Sequence, residues 1–112
     1  MKRIFARFYR SSNGREPVRE WLLNMDQTNR TAIGMDIKTA EYGWPIGMPI
    51  VRKMETNLWE IRSNSTIGIA RVFFTVLGTE MVLLHGMIKK SQKTPKADLN
   101  KALKRLKEVH NE

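Results

Sequence analysis

The hydrophobic positions in the first half of the chain follow a strand pattern and then two helical patterns. A short apolar run ending at Tyr9, before the turn residues 11–14, predicts a first strand. Apolar residues then recur at helical spacing from Val18 to Met25, just after Pro17, which suits the first helical position. A second helix is expected from about residues 26–28 to Gly43, a suitable C-terminal stop. This half is therefore predicted to be a strand followed by a helical hairpin.

The second half is richer in β-branched and aromatic residues. After a proline-containing linker at 44–49, the segments 58–62, 67–77 and 81–88 are separated by short polar or glycine-containing spacers, which predicts neighbouring antiparallel strands. In the middle segment, one face is expected to carry Ala70, Val72, Phe74 and Val76. The other face is expected to carry Arg71, Phe73 and Thr75.

An apolar stripe from Leu99 to Val109 predicts a C-terminal helix. Thr94 is expected to cap this helix with its hydroxyl, and Pro95 is expected at the first helical position. The sequence therefore predicts one α+β domain over residues 1–112. In this domain the N-terminal strand and helical hairpin pack on a mostly antiparallel sheet, with a C-terminal helix added.

The chain has a formal net charge of +9, and residues 1–19 and 89–112 each carry +5 of it. This charge favours a polyanionic partner, whether nucleic acid, a ribonucleoprotein, an anionic membrane or an acidic protein. Because the sequence has no cysteine and shows neither a secretory signal nor a long apolar run, we expect a cytoplasmic protein that does not insert in a membrane.

Two histidines and no carboxylate cluster make a metal site or other cofactor unexpected. Cations on the predicted sheet nevertheless suit metal-free RNA cleavage, because the ribose 2′-OH is itself a nucleophile beside the phosphate. Arginine can stabilise the charged transition state, and clustered cations can lower a lysine pKa until it transfers protons. The alternatives are that the lysines line a solvated strand edge, or that Arg62 and Arg71 lie on an exposed face or pair with Glu55, Glu60 or Glu80.

At these residues the chain resembles the phage-derived HigB-like toxins of the RelE/ParE superfamily. The most specific segments are Trp59-Glu60-Ile61-Arg62 and Lys89-Lys90-Ser91-Gln92-Lys93-Thr94-Pro95. The resemblance spans nearly the whole chain and also includes Gly14-x-x-Pro17-Val18-x-x-Trp21-Leu22, Tyr42-Gly43, Met48-Pro49, Arg71-Val72-Phe73-Phe74 and Ala102-x-x-Arg105-Leu106.

The resemblance implies a RelE-like fold and the toxin of a type II toxin–antitoxin system, which cuts mRNA on the ribosome. It also implies a helix-turn-helix, HigA-like antitoxin, in a complex that is a heterotetramer or larger. The catalytic residues it implies are Arg62, Arg71, Lys89 and Lys90. The residues expected to bind RNA or the ribosome are Lys53, Lys93, Lys96, Lys104 and Arg105.

One departure from some RelE relatives is that no tyrosine follows the last predicted strand. Proton transfer would then fall to a lysine, or to His85 if its side chain faces the groove. Two other functions stay open: a ParE-like toxin that binds a protein target such as DNA gyrase without cleaving RNA, and a basic nucleic-acid-binding module.

Overall fold

The computed structural model describes residues 1–89 and 94–111. The first half contains the predicted strand and helical hairpin: β1 (Phe5–Phe8), α1 (Pro17–Leu23) and α2 (Gln27–Gly43). The second half contains β2 (Val51–Glu55), β3 (Leu58–Ser65), β4 (Gly68–Leu77), β5 (Glu80–Lys89) and α3 (Lys96–His110). The predicted α+β class is confirmed.

The five strands of the described residues form one sheet in the order β1-β5-β4-β3-β2. β1 pairs with β5 in parallel, whereas the other pairs are antiparallel, so the mostly antiparallel sheet is confirmed. The strand β2 was not predicted, because its consecutive charged residues Arg52 and Lys53 break the alternation that marks a half-buried strand. It lies at the edge of the sheet and pairs with β3.

Each face of the sheet is covered by a different part of the chain. Ala70, Val72 and Phe74 lie in the core beneath α1 and α2, whereas Phe73 lies in a second core beneath α3, as the alternation predicted. Gly86 permits the close approach of α1 to β5, because a Cβ at this position would lie 2.3 Å from the ring of Trp21.

The helix ends agree with the sequence at α1 and α2 but not at α3. Pro17 begins α1, and the Asp26 side chain accepts a hydrogen bond from the backbone of Asn29 at the start of α2. At α3 the predicted Thr94 cap is wrong. Pro95 occupies the cap position with ψ 138°, outside the helical region, so the helix begins at Lys96. The backbone N–H groups of residues 98 and 99 donate to the Pro95 carbonyl, at 3.1 and 3.2 Å.

Among the residues that the structure describes, no helix combines the length and the apolar content that crossing a membrane requires.

Candidate functional site

The face of the sheet that also carries α3 brings together several of the predicted catalytic cations. Arg62 and Arg71 are direct partners across β3 and β4. Arg71 lies opposite Met87, which places Lys89 at the diagonal position on β5, roughly 7–8 Å away between Cα atoms. We call Arg52, Arg62, Arg71 and Lys89, together with Glu60, the cationic cluster. Like charges directly opposite each other destabilise a sheet, so this arrangement requires compensation.

Glu60 provides part of that compensation through an ion pair with Arg71. An Nη1 hydrogen of Arg71 donates to Oε1 of Glu60, and both side chains are buried, with exposed fractions of 3% and 0%. Oε2 of Glu60 and Nε of Arg71 have no hydrogen-bond partner within residues 1–89 and 94–111. A buried polar group left without a partner costs about 1–3 kcal/mol, so this pair is an expensive way to stabilise a fold.

Lys89 is the second buried cation of the cluster, with 4% of its surface exposed. Burial lowers the pKa of Lys89, and the positive charge of Arg71 lowers it further, while Glu60 acts in the opposite direction. Arg52 and Arg62 also lower this pKa, which shows that all four cations share one electrostatic environment. Lys89 therefore releases its proton more readily than a free lysine, as a general base near neutral pH must.

The accessible rim of the cluster consists of Arg62, which is half-buried, and Arg52, which is exposed. Sequence reasoning missed Arg52 because β2 was not recognised as a strand. Its position becomes clear only from the register, which pairs Arg52 with Glu60. Glu60 was considered only as one of three possible partners for the arginines.

Lys53 lies on the opposite side of the sheet from the cluster. It is the register partner of Trp59, whose ring packs 5.0 Å from Trp44 and 5.9 Å from Phe74 in the core under the hairpin. Directly paired residues point to the same face. The structure therefore does not bring Lys53 together with the predicted catalytic residues, and its RNA binding stays a prediction.

The predicted RNA-binding residues of α3 differ in their surroundings. Lys96 and Lys104 are exposed, whereas Arg105 holds the helix against the sheet. Its Nη1 donates to the Leu84 carbonyl at 2.8 Å, and its guanidinium lies 5.3 Å from the centre of the Tyr9 ring. Lys90 and Lys93, the other two predicted site residues, lie outside the described residues.

His85 lies on the same face of the sheet, at the other diagonal position from Arg71, and its side chain contacts α3. Its Nε2 lies 2.6 Å from Oδ1 of Asp98, and its ring stacks on Phe73. Burial lowers the pKa of His85, and the hydrogen bond to Asp98 opposes that effect. It precedes Lys89 by four positions on β5, about 13 Å along an extended strand. His85 therefore belongs to the contacts that anchor α3.

Within the described ranges, no group of three or more His, Asp and Glu side chains could hold a metal ion. In a comparison with known families, the family described as phage derived protein Gp49-like (DUF891) matches residues 20–107. The chain belongs to this Gp49-like family. The matched range contains the cationic cluster and all of α1 except its first three residues, and it extends through most of α3.

The Gp49-like family is a family of toxin–antitoxin toxins related to RelE, and the α+β arrangement described above is consistent with a RelE-like fold. Membership therefore identifies the chain as a toxin of this class and implies an antitoxin partner. Comparison with curated proteins finds no match.

Proposed function

We propose that this Gp49-like toxin is a HigB-like, ribosome-dependent endoribonuclease that cleaves mRNA without a metal ion. The observation that supports this most is the buried Lys89 beside Arg71, together with Arg62, which is the direct partner of Arg71 on the neighbouring strand. A lysine with a lowered pKa and two neighbouring guanidinium groups suit the attack of a ribose 2′-OH on its own phosphate.

In the proposed reaction, neutral Lys89, or its sequence neighbour Lys90, accepts the proton of the 2′-OH. The 2′-oxygen forms a bond to phosphorus, and the bond from phosphorus to the 5′-oxygen breaks. Arg71 and Arg62 stabilise the negative charge that grows on the phosphate oxygens. The 5′-oxygen leaves with a proton from the conjugate acid or from solvent, which yields a 2′,3′-cyclic phosphate and a 5′-OH.

Access to the cluster defines an order of contacts. Because Arg71 and Lys89 are almost fully buried, an incoming phosphate meets Arg52 and Arg62 first. Arg71 then exchanges part of its contact with Glu60 for the phosphate. Lys96 and Lys104 on α3 bind the ribosomal RNA backbone in this proposal, and the same role is proposed for Lys53, Lys93 and Arg105. Binding of this kind weakens as salt is added.

The experiment is to map the ends of a defined message incubated with purified toxin, with and without ribosomes. Arg71→Ala and Lys89→Met should each slow cleavage about 100-fold or more, because each removes a group that acts on the transition state. Arg19→Ala, on the exposed side of α1, is the matched control and should cut at the wild-type rate.

Cleavage at the wild-type rate by both cluster variants would place the active site elsewhere. Equal cleavage without ribosomes would contradict ribosome dependence. An intact message together with DNA damage in cells that express the toxin would instead support a gyrase-binding toxin.

A further inference from the structure

We propose that the outward side of α2 is the docking surface for an acidic, amphipathic segment of the antitoxin. This surface, the α2 face, consists of Met35, Lys38, Thr39 and Tyr42 of the helix and Ile46 just after it, which line a groove of about 500 Å³ together with Gly43. The proposal follows from the family's antitoxin partner and does not depend on the chemistry proposed for the cationic cluster.

The helix α2 buries Ile33, Ile37 and Ala40 in the core, yet it also exposes two large apolar side chains on its outward side. Asn29 and Glu41 are buried, whereas Met35 and Tyr42 have exposed fractions of 60% and 46%. A helix that only covered a core would carry polar residues at the positions of Met35 and Tyr42. Met35 and Tyr42 are seven residues apart, so they lie on the same side of the helix, two turns from each other.

The hydroxyl of Thr39, which lies within the α2 face, is hydrogen-bonded inside the helix. The hydroxyl of Thr39 donates to the Met35 carbonyl at 3.0 Å, so its methyl group is left for contact. The groove therefore offers two large apolar anchors with a small apolar floor between them, which is how helix-binding grooves receive an amphipathic partner.

Charge complementarity selects an acidic occupant. Both carboxylates of α2 are engaged inward: Asp36 accepts from Ser63 at 2.5 Å, and Glu41 accepts from the backbone N–H of Ala6 and binds Lys2. The exposed cation Lys38 has no ion pair within the part of the chain that the structure describes. A partner with carboxylates beside its apolar residues would match this arrangement.

Charge also argues against two other occupants of the α2 face, a second copy of the chain and RNA. A second copy of the chain would bring together two molecules of net charge +9, which repel each other. RNA is disfavoured because the α2 face has one cation among mainly apolar groups, whereas nucleic acid sites are strongly cationic. The antitoxin remains as the partner that fits.

The α2 face also lies on the other side of the sheet from the cationic cluster. α2 packs on the face that carries Ile61 and Val72, whereas Glu60 and Arg71 point to the opposite face. A segment bound to α2 would therefore leave the cluster open. Variants of the α2 face should then lose antitoxin binding without losing activity of the isolated toxin.

The probe for the test is the protein encoded by the reading frame next to the toxin gene, purified and titrated into the full toxin by calorimetry. Met35→Glu and Tyr42→Glu should each weaken binding about tenfold or more, the range of central interface residues. Lys38→Glu should weaken it by a smaller factor that shrinks as salt is added. Ile67→Glu is the matched control, because Ile67 is equally exposed but lies in the turn between β3 and β4.

Thermal melting of each variant checks that these exposed substitutions leave the fold intact. Unchanged affinity in the Met35→Glu/Tyr42→Glu double variant would overturn the proposal. So would a wild-type chain that does not bind this protein, or equal weakening by Ile67→Glu. A toxin dimer in sedimentation that Met35→Glu dissociates would assign the face to a second copy instead. Failure of RNA cleavage would count against the proposed chemistry alone, because binding is measured independently.

Discussion

The buried pair of Glu60 and Arg71 allows a quantitative test of whether the cluster exists for function or for stability. Glu60→Gln keeps the shape and one acceptor oxygen but leaves Arg71 as a buried charge without a counter-ion. Arginine cannot lose its proton in a protein, so deprotonation cannot remove the buried charge. Breaking a buried ion pair in this way costs about 3–5 kcal/mol of unfolding free energy.

Replacing both partners should have the opposite result. The double variant Glu60→Leu/Arg71→Met removes both charges and, with them, the two polar atoms that have no partner within the described residues. Apolar replacements of buried ion pairs are neutral or stabilising by about 1–4 kcal/mol. We therefore expect the double variant to be at least as stable as the wild type, although it should be inactive.

Urea unfolding followed by circular dichroism measures both effects. With a slope of about 1.5 kcal/mol per molar urea, the Glu60→Gln midpoint should fall by about 2 M or more, while the double variant should match or exceed the wild type. Glu20→Gln, which removes one partner of the exposed ion pair with Arg15, should leave the midpoint nearly unchanged. A double variant as unstable as Glu60→Gln would show that the pair is retained for stability and would refute the reasoning.

Three further predictions concern Lys89 and the anchoring of α3. If neutral Lys89 is the base, the cleavage rate should rise with pH up to its lowered pKa and then level off; Lys89→Arg should remove this dependence, and an unchanged pH–rate profile would contradict the role. Because burial lowers the pKa of His85, the unfolded chain binds a proton first as the pH falls below about 6.5, so stability should decrease there. The decrease in unfolding free energy from pH 7 to pH 5 should be smaller in His85→Gln, and equal decreases would contradict this. Arg105→Ala should lower the free energy of unfolding by about 1–3 kcal/mol in urea, because it leaves the Leu84 carbonyl without its donor. The exposed Lys104→Ala should change stability little. It should instead reduce the slope of log RNA affinity against log salt concentration by roughly 0.7–0.9.

The parts of the fold with strong periodicity could be predicted from the sequence alone. The side chains of β4 alternate cleanly between the two faces of the sheet, because each face is buried against a different core. Phe73 and Phe74 therefore point to opposite sides. β2 could not be predicted in the same way. Only one of its residues is fully buried, and the position of Arg52 opposite Glu60 depends on the register with β3.

The site was predictable as a set of residue types but not as a constellation. Arg62 and Arg71 stood out as charges inside apolar strands, yet three glutamates were equally possible partners. Pairing with Glu60 requires the β3–β4 register, a long-range property that local patterns do not contain. Arg105 shows the converse, because a basic residue on an amphipathic helix was expected to meet RNA, whereas its side chain donates to the backbone of β5.

The chemistry of the cleaved ends tests the central proposal most directly. A ribosome-bound message should be cut by the wild-type toxin to leave a 2′,3′-cyclic phosphate and a 5′-OH. A single 2′-deoxy substitution at the cut position should block that cut, as should Arg71→Ala in the toxin with an unmodified message. Products with a 3′-OH and a 5′-phosphate, or undiminished cutting at the 2′-deoxy position, would contradict attack by the 2′-OH at the cationic cluster.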